Sequence, residues 1–384
     1  MFLLLRPVGL SCQASCGYCY YKSGHPQLTT HADSKMSIDL IDIIFDGFKK
    51  LPDKFHTICL HGGEPLLIGK KWTSQLVEKV KKFSHENNGI RLSLAIQTNG
   101  MTIDEEWIEI FKEGCFGVSV SIDGPESIHN AIRIDKKGNG TFKKVFNNIK
   151  RLQASDLFPS AISVISKESL KVSPENYYSF FQENRINEID IALYIEAGTS
   201  EKESIAKSNY EANAEDLLQF IYKLFDLWLY NKDESNLVNI RMFEQTVSAI
   251  LGYTPTICNL QEGLACGRTP CIMPDGTVFA CDLETDDVNL VLGNVLKDNF
   301  ENILSSEKLD SFHSYIKNGF SERGCYTCDV FGFCAFACPR YTLSKRDFSS
   351  YCNFTKKYLE FVKTRLNNVS ISLSGKKINY PILN

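Results

Sequence analysis

Over its first two hundred residues the chain alternates short apolar runs of strand character with stretches of helical periodicity. The runs are "FLLLR" (2–6), "HTICLHGG" (56–63), "IRLSLAIQTNG" (90–100), "FGVSVSIDG" (116–124), "SAISVIS" (160–166) and "EIDIALYIE" (188–196). Helical patterns lie between them, near 37–50, 72–87, 104–113, 141–154 and 174–185. Strand and helix alternating in this rhythm predict a parallel sheet whose strands are covered on both faces. Six such units from residue 1 to about 230 predict an α/β fold, a partial (β/α)6 TIM barrel. Its active site is expected at the C-terminal ends of the strands. After about residue 235 the rhythm stops and cysteines take over, with no repeat and no low-complexity linker. The expected division is a barrel over 1–235, a bridging helical segment over 236–257, a cysteine-rich domain over 258–352 packed on the barrel, and a helix with a tail over 353–384.

Composition narrows the chemistry. The 384 residues are 43% hydrophobic and 23% charged, enough for a large core, and the formal net charge is only −4. Lysine pairs such as Lys49 with Lys50 and Lys81 with Lys82 sit among acids on helical stretches, so they read as solvated faces, and nucleic acid is not an expected partner. "MFLLL" meets Arg6 and Pro7 too soon to be a signal peptide, and no apolar run approaches the ~18 residues of a membrane span. The chain is therefore expected to be cytoplasmic, where its fourteen clustered cysteines suit metal ligation better than disulfides.

The first cluster is "CQASCGYCYY". Cys12, Cys16 and Cys19 put three thiolates on one loop after the first run, spaced to ligate three irons of a cubane and leave the fourth open. A zinc ion with three thiolates and a water is the competing metal reading. Towards the C-terminus stand Cys266, Gly276 and Cys281, then Cys325-x2-Cys328-x5-Cys334-x3-Cys338, and Cys352. Cys258 makes eight, enough for two fully ligated four-iron clusters, with a double zinc ribbon as the alternative.

The cysteine loop, with Tyr18 before its last cysteine, resembles the cluster loop of the radical S-adenosylmethionine (SAM) superfamily. The later cysteines resemble its SPASM extension, as in enzymes that modify peptides and proteins. The resemblance implies three [4Fe–4S] clusters, one of them binding S-adenosyl-L-methionine. "HGGEP" (His61, Gly62, Gly63, Glu64, Pro65) is similar to the turn that holds the methionine amino group. "QTNG", with Gln97 and Asn99, and "SIDGP", with Ser121 and Asp123, are similar to stretches that meet the ribose and carboxylate, and Ser121 and Arg133 are implied to bind the carboxylate. By the same resemblance Cys258, Cys266, Cys281 and Cys338 hold one auxiliary cluster and Cys325, Cys328, Cys334 and Cys352 the other. Cys59 and Cys115 are left as core thiols, and Cys271 as a residue able to replace Cys258.

The resemblance extends along the whole chain to anaerobic sulfatase-maturating enzymes. It implies Asp282 as the base that deprotonates the substrate, Tyr21 as substrate-facing, and an electron donor such as flavodoxin or ferredoxin. One departure is His61, where those enzymes usually carry Gln; His there is more familiar in enzymes that crosslink ribosomal peptides. On that residue the expected reaction is a cyclophane or thioether crosslink, with formylglycine formation on a sulfatase as the alternative. A zinc-stabilised binding protein without redox chemistry is a third class.

Overall fold

The computed structural model describes residues 1–19, 34–194, 210–231, 233, 236–256, 266–282, 290–334 and 348–374, so Tyr21, Cys258 and Cys338 lie outside the described residues. Six parallel strands form the barrel wall: β1 (Phe2–Leu5), β2 (Phe55–Leu60), β3 (Arg91–Thr98), β4 (Gly117–Ser121), β5 (Ser160–Ile165) and β6 (Glu188–Leu193). The helices α1 (Leu40–Lys50), α2 (Lys70–Glu86), α3 (Glu105–Glu113), α4 (Glu126–Ile132), α5 (Phe142–Ala154) and α6 (Pro174–Glu183) connect them, with α4 and α5 both between β4 and β5. Helix starts follow local chemistry. Asp104 caps α3 by accepting from Trp107 N–H at 3.1 Å, and Ser173 caps α6 just before Pro174.

Each strand buries one face against the helices, and the other face is buried at Leu4 of β1 and Cys59 of β2 and elsewhere half-buried or exposed. Leu3 and Leu5 of β1 face the helical core with Ile58, Leu60 and Phe48, while Leu4 faces the interior beside Cys59. The interior is walled by small side chains, among them Ala95, Ser119 and Ser160 with Gly117, which leaves a cavity of about 670 Å³. It runs from His61 and Gln97 at one end to Phe2, Phe158 and Asp190 at the other.

The cysteine-rich part does more than pack against the barrel; it extends the same sheet. The two-residue strand β8 (Cys271–Ile272) pairs in parallel with β1, Leu4 N–H donating to Pro270 O at 2.9 Å and Arg6 N–H to Ile272 O at 3.0 Å. β9 (Thr277–Phe279) and β10 (Val291–Asn294) continue it as an antiparallel meander, and β7 (Asn239–Ile240) closes the other edge against β6. Between β6 and β8 lie α7 (Ala214–Leu229) and α8 (Arg241–Ile250). The helices α9 (Phe300–Leu304), α10 (Glu307–Glu322) and α11 (Phe348–Ser374) follow. Phe300 of α9 seats on α1 at Gly47, where a Cβ would come within 2.7 Å of its ring. α11 lies on α7 through a bidentate Arg365–Asp226 pair at 2.6 and 2.9 Å and the stacked rings of Tyr222 and Phe361. Among the described residues no helix is long and apolar enough to cross a membrane.

Candidate active site

The Cys12–Cys19 loop leaves the C-terminal end of β1 and is pinned to the end of α4 and the residues just after it. Ser15 N–H donates to Ile134 O at 2.7 Å and Gly17 N–H to Ile132 O at 3.0 Å. All three thiols are partly exposed. The Cys12 sulfur receives Ala14 N–H at 3.4 Å and the Asn99 side-chain amide at 3.6 Å. Burial pushes the Cys12 thiol up to about 11, against the Ala14 N–H, and Glu64, Cys16 and Cys19 add to the rise. Such a thiol becomes a thiolate readily only when a metal replaces its proton.

The glycines of "HGGEP" serve the chain itself. Gly62 has φ +112°, and a Cβ on Gly63 would lie 2.2 Å from Ser11 O and 2.5 Å from Leu10 O. The turn is therefore pressed on the backbone leading into Cys12, where the sequence reading expected close approach to a ligand. Gly62 N–H donates to His61 Nδ1 at 2.8 Å, Gly63 N–H to Gly9 O at 3.1 Å and Glu64 N–H to Ser11 O at 2.8 Å. With these donors committed, the turn has carbonyls to offer a ligand, which suits an ammonium group. Glu64 is fully buried and ties this turn to the next. Oε1 accepts from Leu66 N–H at 3.0 Å and Thr98 Oγ1 at 2.8 Å, and Oε2 from Asn99 N–H at 2.7 Å. Burial raises its carboxyl to about 7 in spite of those three donors.

Two buried acceptors here lack any protein partner: Gln97 Oε1 and Gln13 Oε1. Gln97 spends its amide N–H on Ser121 Oγ at 3.0 Å, and Gln13 spends its own on Asn99 Oδ1 at 3.4 Å. Orphaned acceptors beside three partly exposed thiols fit a bound group carrying hydroxyl or amine donors, and so fit SAM next to a cluster. Pro65 begins the helical turn after Glu64.

Asp123 and Arg133 depart from expectation. The guanidinium donates to Asp123 through Nε at 2.9 Å and Nη2 at 3.0 Å, so its fork is taken up by a carboxylate of the chain. Tyr18 Oη donates to the same carboxylate at 2.5 Å, and the Tyr18 ring lies 5.3 Å from the guanidinium carbon. Two of the five N–H groups of Arg133 are thereby engaged with Asp123. His129 supports this pair from beneath: Nδ1 faces Asp123 N–H at 3.5 Å and Nε2 donates to Thr141 Oγ1 at 2.9 Å, whose own proton goes to Arg133 O.

Asp282 reaches the barrel from the auxiliary region. Its main-chain carbonyl accepts from Arg6 Nη2 at 2.6 Å, and its Oδ2 lies 3.7 Å from both Arg6 Nη2 and His61 Nδ1. Because His61 Nδ1 already accepts from Gly62 N–H, its proton is on Nε2. Burial lowers the pKa of His61, Asp282 acts against that and Arg6 with it, so the ring is neutral near pH 7. Arg6 was not singled out in the sequence, although a lone cation closing an apolar strand is the signal that marks it.

Gly267 N–H bonds Ala280 O at 3.2 Å, which places Cys266 beside Cys281. Gly276, at φ +85°, makes the turn between β8 and β9 that sets this spacing. Cys325, Cys328 and Cys352 also come together. Burial, then the charges of Cys352 and Cys328, disfavours ionisation of Cys325, and Lys356 bonds the Cys328 thiol. Cys334 follows a short turn from there. Cys59 and Cys271 are buried on the inner face with Leu4, and burial first of all pushes both thiols up to about 12. Cys115 corrects the expectation of a core thiol: it is exposed, at φ 48° after α3.

The comparisons with known proteins agree with this geometry. The radical SAM superfamily model matches residues 7–169, and the SPASM iron-sulfur cluster-binding domain model matches residues 266–329. The chain is 27% identical to a cysteine-type anaerobic sulfatase-maturating enzyme of Clostridium novyi, over 98% of both chains. It is 26% identical to a serine-type enzyme of Bacteroides thetaiotaomicron, over 96% of this chain and 92% of the other. The solved structure of native anSMEcpe with bound AdoMet and Cp18Cys peptide superposes with a TM-score of 0.81 at 26% identity, covering 97% of this chain and 99% of that one.

Proposed function

Because the chain is a radical SAM enzyme with a SPASM domain, one that modifies proteins with SAM and [4Fe–4S] clusters as cofactors, we propose that it oxidises a side chain of a peptide by two electrons. The observation that carries this reading is the meeting of three features at one end of the barrel: the Cys12–Cys19 loop, the orphaned Gln97 acceptor, and Asp282 next to Cys281.

In this reading Cys12, Cys16 and Cys19 hold the cluster that binds SAM. The carbonyls of the Gly62–Gly63 turn face the ammonium, Gln97 and Asn99 the ribose, and Ser121 and the remaining N–H groups of Arg133 the carboxylate. Tyr18, Glu64, Pro65 and Asp123 keep those groups in place. Cys258, Cys266, Cys281 and Cys338 hold one auxiliary cluster, and Cys325, Cys328, Cys334 and Cys352 the other. When bound, these groups supply a 5'-deoxyadenosyl radical that takes a hydrogen atom from the substrate, and an acceptor for one electron. The protein supplies the rest: the cavity seats the peptide side chain, neutral His61 orients it, Tyr21 faces it, and Asp282 takes its proton. A low-potential donor such as flavodoxin or ferredoxin delivers the starting electron.

Full-length likeness to the sulfatase-maturating enzymes favours oxidation of Cys or Ser to formylglycine, which reverses the order expected from His61 alone. From Cys, loss of a hydrogen atom from Cβ, the thiol proton to Asp282 and one electron leaves a thioaldehyde. Water converts it to formylglycine and hydrogen sulfide. The second reading rests on His61, which stands at the base where the resembled enzymes carry Gln. There the carbon radical adds to an arene or thiol before the proton and electron leave. Mass spectrometry of reacted peptides separates the two. A sulfatase-derived cysteine peptide that gains a hydrazine-reactive aldehyde supports the first. An aromatic-rich precursor encoded beside the gene that loses two hydrogens and gains a ring supports the second. Consumption of SAM with neither peptide altered overturns both.

A further inference from the structure

Arg6 is the largest fully buried side chain among the described residues. It closes β1 and runs beneath the glycine turn, where a Cβ on Gly62 would approach its Cγ to 3.1 Å. From there it reaches the carbonyl of Asp282 at 2.6 Å, with the carboxylate at 3.7 Å. A guanidinium shut away from water needs a countercharge. Among the described residues, the groups at this corner include the Asp282 carboxylate, the neutral ring of His61, and the buried thiols of Cys59 and Cys271. Asp282 brings a negative charge to the guanidinium, and it follows Cys281 directly.

We propose that Arg6 is a positioning residue for the oxidising half of the reaction, fixing the chain at Cys281 and Asp282 to β1 and placing a positive charge beside the auxiliary cluster. This rests on the reading that Cys281 is a cluster ligand. Arg6 Nη2 meets the carbonyl and lies beside the carboxylate of the same residue; lysine keeps the charge without the guanidinium geometry, and methionine supplies the volume alone.

The test uses the full chain, reconstituted without oxygen, as parent, Arg6→Lys, Arg6→Met and Cys281→Ala, with iron content and an EPR-monitored redox titration of the auxiliary cluster. Arg6→Met at full iron is expected to move the auxiliary midpoint to lower potential, because a nearby cation favours the reduced cluster, and Arg6→Lys to restore it. An unchanged midpoint in Arg6→Met overturns the proposal. Unfolding of Arg6→Met, Asp282→Asn and the double variant provides a second measurement should Arg6→Met bind little iron. The pair predicts that the double variant loses less than the sum of the singles, and additive losses overturn it. Undiminished iron in Cys281→Ala would instead show that the ligand assignment beneath the proposal fails.

Discussion

Glu64 and His129 carry opposite titration penalties in one site, and the signs can be worked out. Burial holds His129 neutral with its pKa lowered from 6.5 to about 4, so the folded chain binds fewer protons than the unfolded one. That contribution is complete above pH 6.5 and is lost as pH falls towards 4, by on the order of 3 kcal/mol. Glu64, raised from 4.5 to about 7, acts the other way and gains stability as pH falls through the same window. In denaturant titrations at pH 7.5 and 5.0, His129→Gln is expected to gain on its parent at the lower pH; an equal gap at both pH values contradicts the assignment. Gly63→Ala forces a methyl group onto two carbonyl oxygens, and a loss of about 3 kcal/mol, the upper end of overpacking costs, is expected in the same assay. Asp282→Asn is expected to keep cleavage of SAM and lose product, read as 5'-deoxyadenosine against modified peptide; normal turnover would remove Asp282 as the base. The cysteines and "GGEP" were legible because their spacing carries the chemistry. The Arg133–Asp123 fork was not, since nothing in "SIDGP" or "IHNAIR" says that one closes on the other.

At the scale of elements, the six barrel strands were legible because each is a run of strand-forming residues with a face buried against the helices. β7 and β8 were not, being two residues each, too short to show a period. That brevity hides an arrangement that matters: β8 hydrogen-bonds to β1, so Cys281 and Asp282 are delivered to the barrel's mouth by the sheet itself. The second cysteine group depends on a different element, α11, which brings Cys352 to Cys325 and Cys328 from the far end of the sequence. A Cys325→Ala, Cys328→Ala double variant is expected to lose one cluster, about four irons per chain, by iron analysis. Full iron in that variant contradicts the grouping.

For the whole molecule, the barrel and the cysteine-rich part share one sheet of ten strands and a second contact along α7 and α11. A chain ending at residue 256 would uncover the edge of β1 and the apolar face of α7, so it is expected to aggregate where the full chain gives one peak by size exclusion. The βα rhythm made the barrel legible and the cysteine spacing made the second part legible, but their fusion into one sheet was invisible because it runs through the backbone of a two-residue strand. The central claim is that Cys12, Cys16 and Cys19 leave one iron open to SAM. Its most direct test is 5'-deoxyadenosine measured after oxygen-free reconstitution with dithionite and SAM. The parent is expected to form it and Cys16→Ala to form none; a silent parent, or an undiminished yield from Cys16→Ala, contradicts the account.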